Sequence, residues 1–158
     1  MALEIKSSAI SNNSPIPIKY SYSCGIGSLN LSPPLSWSGV PKNTKSFALI
    51  SDDPDAPVGN WVHWVVWNIS ATVTGLKEGI EKTETLPDGT KQGITDYKEV
   101  GYGGPCPPSG THRYFFKLYA LDTTLNLSAK TTKADLEAAM KGHILEQAIL
   151  MGTFSHQK

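Results

Sequence analysis

The sequence predicts a mostly-β sandwich with a short C-terminal helical pair packed at one end. Three observations predict it. Short apolar runs broken by turn chemistry fill the chain up to about residue 125, and helical periodicity appears only after that. Glycine (14) and proline (11) are abundant, so turns punctuate the strands often. The 158 residues carry no internal repeat, low-complexity segment or linker, and read as one domain over 1–158, long enough to bury a core.

The elements follow in order. Ile16 to Tyr22 reads as extended, and its proline pushes it to a sheet edge. Ser32-Pro-Pro-Leu-Ser-Trp37 reads as an irregular, proline-stiffened connection. Ser46 to Ile50 is a strand, and Asp52-Asp-Pro-Asp-Ala-Pro57 is expected not to continue it, because proline removes a ladder donor. In Trp61 to Asn68, strict alternation puts Trp61, His63, Val65 and Trp67 on one face and Val62, Trp64 and Val66 on the other. Both faces are apolar, so this is a central strand buried on both sides. Gly75 to Gly110 reads as loops and weak hairpins, with a tight turn at Asp88-Gly89. Arg113 to Leu121 is a second strong strand. Thr132 caps a helix over Lys133–Met140, whose stripe is Leu136, Ala139 and Met140. Gly142 ends it, and a second helix is expected over His143–Leu150.

Charge and cysteine content bound the function. Fourteen basic residues balance fourteen acidic ones, with no basic run and a single arginine, Arg113. This argues against nucleic-acid binding and against electrostatic docking on an anionic membrane. Neither a secretory signal nor an apolar stretch of membrane-spanning length is visible, and the expected location is the cytoplasm. Cys24 and Cys106 form no framework and no metal-like pair, and are expected as unpaired thiols.

The chemistry gathers where strands end. Asp53 and Asp55 are two apart, as are Trp61 and His63, and each pair can face one way if locally extended. His112 opens the second strong strand. If the two strong strands lie close, two histidines, two aspartates and an indole converge on one hollow. Gly103 and Gly104 could there turn backbone N–H groups toward an anion. Singly, each residue has a structural reading: the aspartates as turn formers, His63 as a satisfied core histidine, the tryptophans as core filling. Cys106 reads as a small packed side chain, and His143 and His156 as structural or solvated. Arg113, alternating with His112, points away from it into a salt bridge or cap. The conjunction is what points to a site.

Asp53-Pro-Asp-Ala-Pro57, Trp61-Val-His63 and Gly104-Pro-Cys-Pro-Pro-Ser-Gly-Thr-His-Arg-Tyr114 resemble the signature blocks of the phosphatidylethanolamine-binding protein family, which includes the Raf kinase inhibitor proteins. Tyr119-Ala-Leu-Asp122 and the short length are similar to its bacterial and archaeal branch. The resemblance covers roughly Ile16 to Gly152. It implies a mostly-β fold of two antiparallel sheets packed as a Greek-key-like sandwich with short peripheral C-terminal helices. It also implies a small anion-binding pocket built on Asp53, Asp55, Trp61, His63, Gly104, Pro107, Pro108, His112 and Tyr114, and a cis bond at Ala56–Pro57. It implies no catalytic residue, metal or cofactor. The expected function is therefore a non-enzymatic binding protein for phosphate or a phosphorylated headgroup, modulating other proteins. Inhibition of kinases or proteases is the alternative, and a His/Asp or metal-dependent hydrolase a distant third. A homodimer is compatible with the prokaryotic resemblance.

Overall fold

Alternating burial along a few long strands builds the molecule, described for residues 2–157 in a computed structural model. The elements run β1 (Glu4–Lys6), β2 (Ser14–Pro15), β3 (Leu35–Ser38), β4 (Ser46–Asp53), β5 (Trp61–Ser70), β6 (Gly75–Leu76), β7 (Lys91–Gln92), β8 (Thr111–Leu121), α1 (Lys133–Met140) and β9 (Ile144–Ser155). A small sheet has the order β1-β3-β6 and a large one β2-β9-β8-β4-β5-β7. The protein is mostly β, as the turn-rich sequence predicts.

Two cores follow from the pleat. Tyr114, Phe116, Leu118 and Ala120 of β8 point between the sheets. There they join Phe47 and Leu49 of β4 and Leu35 and Trp37 of the small sheet. Ala48 and Ile50 of β4 turn to the opposite face, where Leu136 and Met140 of α1 cover them. Each fully buried aliphatic or aromatic side chain of this kind contributes roughly 1.5–3 kcal/mol. The helix starts with the capping box that Thr132 predicts: the Asp135 N–H donates to Thr132 Oγ1 (3.3 Å), and the Thr132 N–H donates to Asp135 Oδ2 (3.1 Å). Lys133 Nζ, 3.1 Å from the buried Asp52 Oδ2, ties that first turn to β4.

Several expectations are corrected. His143–Leu150 is not a helix; it opens β9, whose Ala148, Leu150, Gly152 and Phe154 bury at a period of two. Eleven residue pairs with β8, from Thr111↔Ser155 to Leu121↔Ile144, outweigh the run's local helical spacing. Among the described residues α1 is thus the one α-helix, and the helical pair is reduced to it. Leu35–Ser38, expected as irregular, is a strand paired with β1 and β6. Ile16–Tyr22 is not an edge strand: Pro17 leads into a 3₁₀ turn over Ile18–Tyr20, while the edge strand β2 lies just before the segment, contains Pro15 and runs parallel to β9. The sheets are therefore not wholly antiparallel. Among the described residues no peptide bond is cis, Ala56–Pro57 included.

Cys24 and Cys106 are joined in a disulfide, with Cα atoms 5.4 Å apart. The two segments also meet through backbone, the Tyr22 N–H donating to the Pro105 carbonyl at 3.0 Å. The expectation of free thiols fails because the partners lie 82 residues apart in sequence. With it goes the cysteine-based reason for a reducing compartment. No helix among the described residues is long and apolar enough to cross a membrane.

Candidate functional site

The site forms where β4, β5 and β8 end together. β4 runs through Asp53, three residues past the expected end at Ile50, and stops only at Pro54. The following turn folds the chain back so that the Asp55 N–H donates to Asp53 Oδ1 at 2.7 Å. Asp53 Oδ2 accepts from His112 Nδ1 at 2.7 Å, and both side chains are buried. A two-residue offset along β8 puts His112 and Tyr114 on the same inward face as Phe116.

β5 reaches the same place through a β-bulge. Val62 pairs with Asp52 and Trp64 with Ser51, so His63 is the extra residue. The bulge breaks the strict alternation expected of this strand. Val62 joins Val65 and Trp67 on the α1 face, while Trp64 joins Val66 between the sheets. His63 is left facing Tyr114, ring centroids 5.1 Å apart and edge-on. Its Nδ1 lies 2.7 Å from the Gly103 carbonyl, an acceptor only, so Nδ1 carries the proton and Nε2 bears a lone pair. That Nε2 is buried and has no partner. Burial pushes the imidazole below its usual range, against the opposing pull of the Gly103 carbonyl and Asp53. Burial also drives the phenols of Tyr97 and Tyr114 well above theirs, keeping both as neutral donors.

Asp53, Trp61, His63, Pro107, Pro108, His112 and Tyr114 line one cavity of ≈ 270 Å³. This lies below the ~300–1,000 Å³ of drug-sized sites and suits a small ligand. Ala56, Pro57, Val58, Tyr97 and the disulfide-bonded Cys106 complete its wall. Two of the expected site residues lie elsewhere. Asp55 is turned outward and takes a fork from Arg113, with Nε to Oδ2 at 2.9 Å and Nη2 to Oδ1 at 2.8 Å. The guanidinium holds the Asp55 carboxyl down at about 2. This pair is the salt bridge that the alternation of Arg113 with His112 predicts.

Gly104 is a packing residue. Its N–H donates to Asn30 Oδ1 (2.7 Å), and a Cβ there would overlap the Tyr20 carbonyl and come within 2.9 Å of Ser21 Cα. The Gly103 N–H is likewise taken, by the His63 carbonyl at 2.9 Å. The pair forms no N–H cradle for an anion. Tyr97 was missed because an isolated aromatic in a polar loop carries no periodic signal; its hydroxyl donates to the Gly104 carbonyl at 2.7 Å. His156, expected as structural or solvated, takes a structural part: it donates from Nδ1 to the Pro107 carbonyl (3.0 Å) and braces the wall from behind.

Among the described residues no group of three or more His, Cys, Asp or Glu side chains is arranged to hold a metal ion. The model of the family described as phosphatidylethanolamine-binding protein matches residues 6–155. A UPF0098 protein of Methanothermobacter thermautotrophicus is 49% identical over 96% of this chain and 98% of its own. Another, from Pyrococcus horikoshii, is 43% identical over 99% and 78% respectively. The crystal structure of a phosphatidylethanolamine-binding protein homologue from Chlamydia trachomatis superposes with a TM-score of 0.88, at 42% identity over 99% of both chains. That of E. coli YbcL, described as a member of the mammalian family, gives 0.91 at 34% identity, covering 99% of this chain and 100% of its own. This chain therefore belongs to the phosphatidylethanolamine-binding protein family.

Proposed function

We propose that this chain is a non-enzymatic binding protein whose pocket takes a small phosphoryl-type anion. One observation carries the reading: two imidazoles, His63 and His112, line the same cavity with their Nδ1 atoms committed to the protein. Each ring is thus oriented by its own fold and keeps Nε2 for a ligand. The neutral phenol of Tyr114 and the indole of Trp61 supply a low-polarity wall, in which a hydrogen bond to an anion is stronger than in water. The disulfide removes the Cys106 thiol as a nucleophile, which favours binding over hydrolysis. Modulation of a protein target, such as a kinase or a protease, belongs to the same proposal. The rim offers an apolar edge for it, with Val58 at 80% exposure beside the exposed Pro57 and Pro108.

Titration with inorganic phosphate or phosphoethanolamine should change Trp61 fluorescence and saturate. His112→Ala should weaken the response at least tenfold while circular dichroism shows a folded protein, since a hydrogen bond to a charged group contributes about 1.5–3 kcal/mol. A wild type without a saturable response, or an unimpaired His112→Ala protein, would overturn the reading.

A further inference from the structure

One wall of the pocket is a segment with few means of bonding to the rest of the protein. Pro105-Cys-Pro-Pro-Ser-Gly110 holds three prolines in six residues, and a proline has no backbone N–H. Among the described residues, neither N–H between its ends, at Cys106 and Ser109, donates to a backbone carbonyl. Its interior has one polar tie to the body, from His156 Nδ1 to the Pro107 carbonyl. Its covalent tie is the disulfide from Cys106 to Cys24. Cys106, Pro107 and Pro108 all line the cavity.

The flanks are held differently. The Gly103 and Gly104 N–H groups donate to the His63 carbonyl (2.9 Å) and to Asn30 Oδ1 (2.7 Å). The Pro105 carbonyl accepts from the Tyr22 N–H (3.0 Å), and the Gly110 carbonyl from the His156 N–H (2.8 Å). Opening the disulfide therefore leaves the frame on both sides in place. Cys106 to Ser109 then keep one imidazole bond and the buried ring of Pro107, a weak hold for a wall. The bond is also open to attack from one side. Cys106 is exposed and Cys24 is buried, so access directs an incoming thiolate to Cys106 Sγ.

We infer that the Cys24–Cys106 disulfide is a redox-controlled latch on the pocket wall. Oxidised, it fixes Pro107 and Pro108 against the cavity; reduced, it lets them move away, and ligand affinity falls. The reductant is a dithiol. One of its thiolates attacks Cys106 Sγ, the S–S bond breaks, and Cys24 leaves as a thiolate that takes up a proton. The second thiol, deprotonated, attacks its partner sulfur in the mixed disulfide and expels Cys106, which is protonated in turn. Two electrons and two protons pass to the protein, and the dithiol ends as a disulfide. Exchange with an oxidised dithiol resets the latch. The effect on affinity rests on the reading of the cavity as a phosphoryl site; the motion of the wall does not.

The test follows the full chain oxidised, reduced with dithiothreitol and reoxidised, under conditions where circular dichroism shows it folded. Backbone ¹⁵N relaxation reads the wall, and titration with inorganic phosphate reads the pocket. Cys106 and Ser109 should show the order parameter of rigid backbone, roughly 0.85, in the oxidised protein and fall below roughly 0.6 on reduction. Gly103 and Gly104 should stay rigid in both states. Phosphate should bind at least about tenfold more weakly to the reduced protein, because binding must then order the wall, and reoxidation should restore the affinity. Cys24→Ser with Cys106→Ser should behave as the reduced protein and ignore dithiothreitol; the wild-type cycle decides by itself if that variant does not fold. Unchanged order parameters, or a loosened wall with unchanged affinity, would overturn the latch and leave the phosphoryl site standing. Absence of phosphate binding in every state would overturn that reading of the site, and the order parameters would still decide the latch.

Discussion

Breaking the Cys24–Cys106 disulfide, by reduction or by Cys24→Ser with Cys106→Ser, is expected to lower the unfolding free energy by about 4 kcal/mol. The bond spans 82 residues of sequence, a little over half of the chain. A cross-link that long removes much of the conformational freedom that the unfolded chain would otherwise gain. The folded side should change little, because the same two segments are also held by hydrogen bonds. The Tyr102 hydroxyl donates to the Tyr20 carbonyl at 2.8 Å, and the Gly104 N–H donates to Asn30. Secondary structure should therefore survive reduction while stability drops. Urea unfolding followed by tryptophan fluorescence, with and without reductant, measures it. A midpoint unmoved by reductant would show that the bond does not constrain the chain in solution.

Trp64→Ala is expected to be comparably severe, at about 4 kcal/mol, the middle of the range for truncating a buried aromatic. Trp64 is fully buried between the sheets, edge-on to Tyr102 at 5.5 Å. It is also the polar partner of the fully buried Gln92, whose Oε1 accepts from Trp64 Nε1 at 2.8 Å. The Gln92 amide nitrogen donates to the carbonyls of Glu81 and Thr83, so the alanine variant leaves one acceptor orphaned in a closed network. Trp67 supplies a contrast on the same strand. It is equally buried, but its Nε1 has no partner, so Trp67→Phe removes an unsatisfied donor along with part of a ring. The urea midpoint should fall far more for Trp64→Phe than for Trp67→Phe. Equal losses would show that the Gln92 bond contributes nothing beyond packing.

The elements whose order comes from their own side chains were legible in the sequence. β5 and β8 announce themselves by apolar alternation, α1 by Thr132 and its stripe, and the Leu86–Thr90 turn by Asp88-Gly89, with Gly89 at φ 94°. What depends on a distant partner was not. β9 looks helical until β8 lies beside it, and no local pattern places Cys24 next to Cys106. The bulge at His63 is likewise a property of the β4–β5 pairing. Within the site, Asp53, His63 and His112 were readable because strand ends carry side chains two apart to one face. Asp55 escaped that rule because Pro54 turns the backbone before it. Gly104 looked like an anion cradle, yet its lack of a side chain serves the close approach of Tyr20.

The central claim is that the ligand is received at the free nitrogens of His63 and His112. Imidazole ¹⁵N NMR tests it most directly, since it reports each ring nitrogen separately during a titration with inorganic phosphate. The resting spectrum should show His63 protonated at Nδ1 and bare at Nε2. Phosphate should then move the Nε2 signals of His63 and His112 together and saturably, leaving His143, which is paired with Asp122 outside the cavity, unmoved. Signals of His63 and His112 that stay in place while the folded protein is saturated with phosphate would contradict the account.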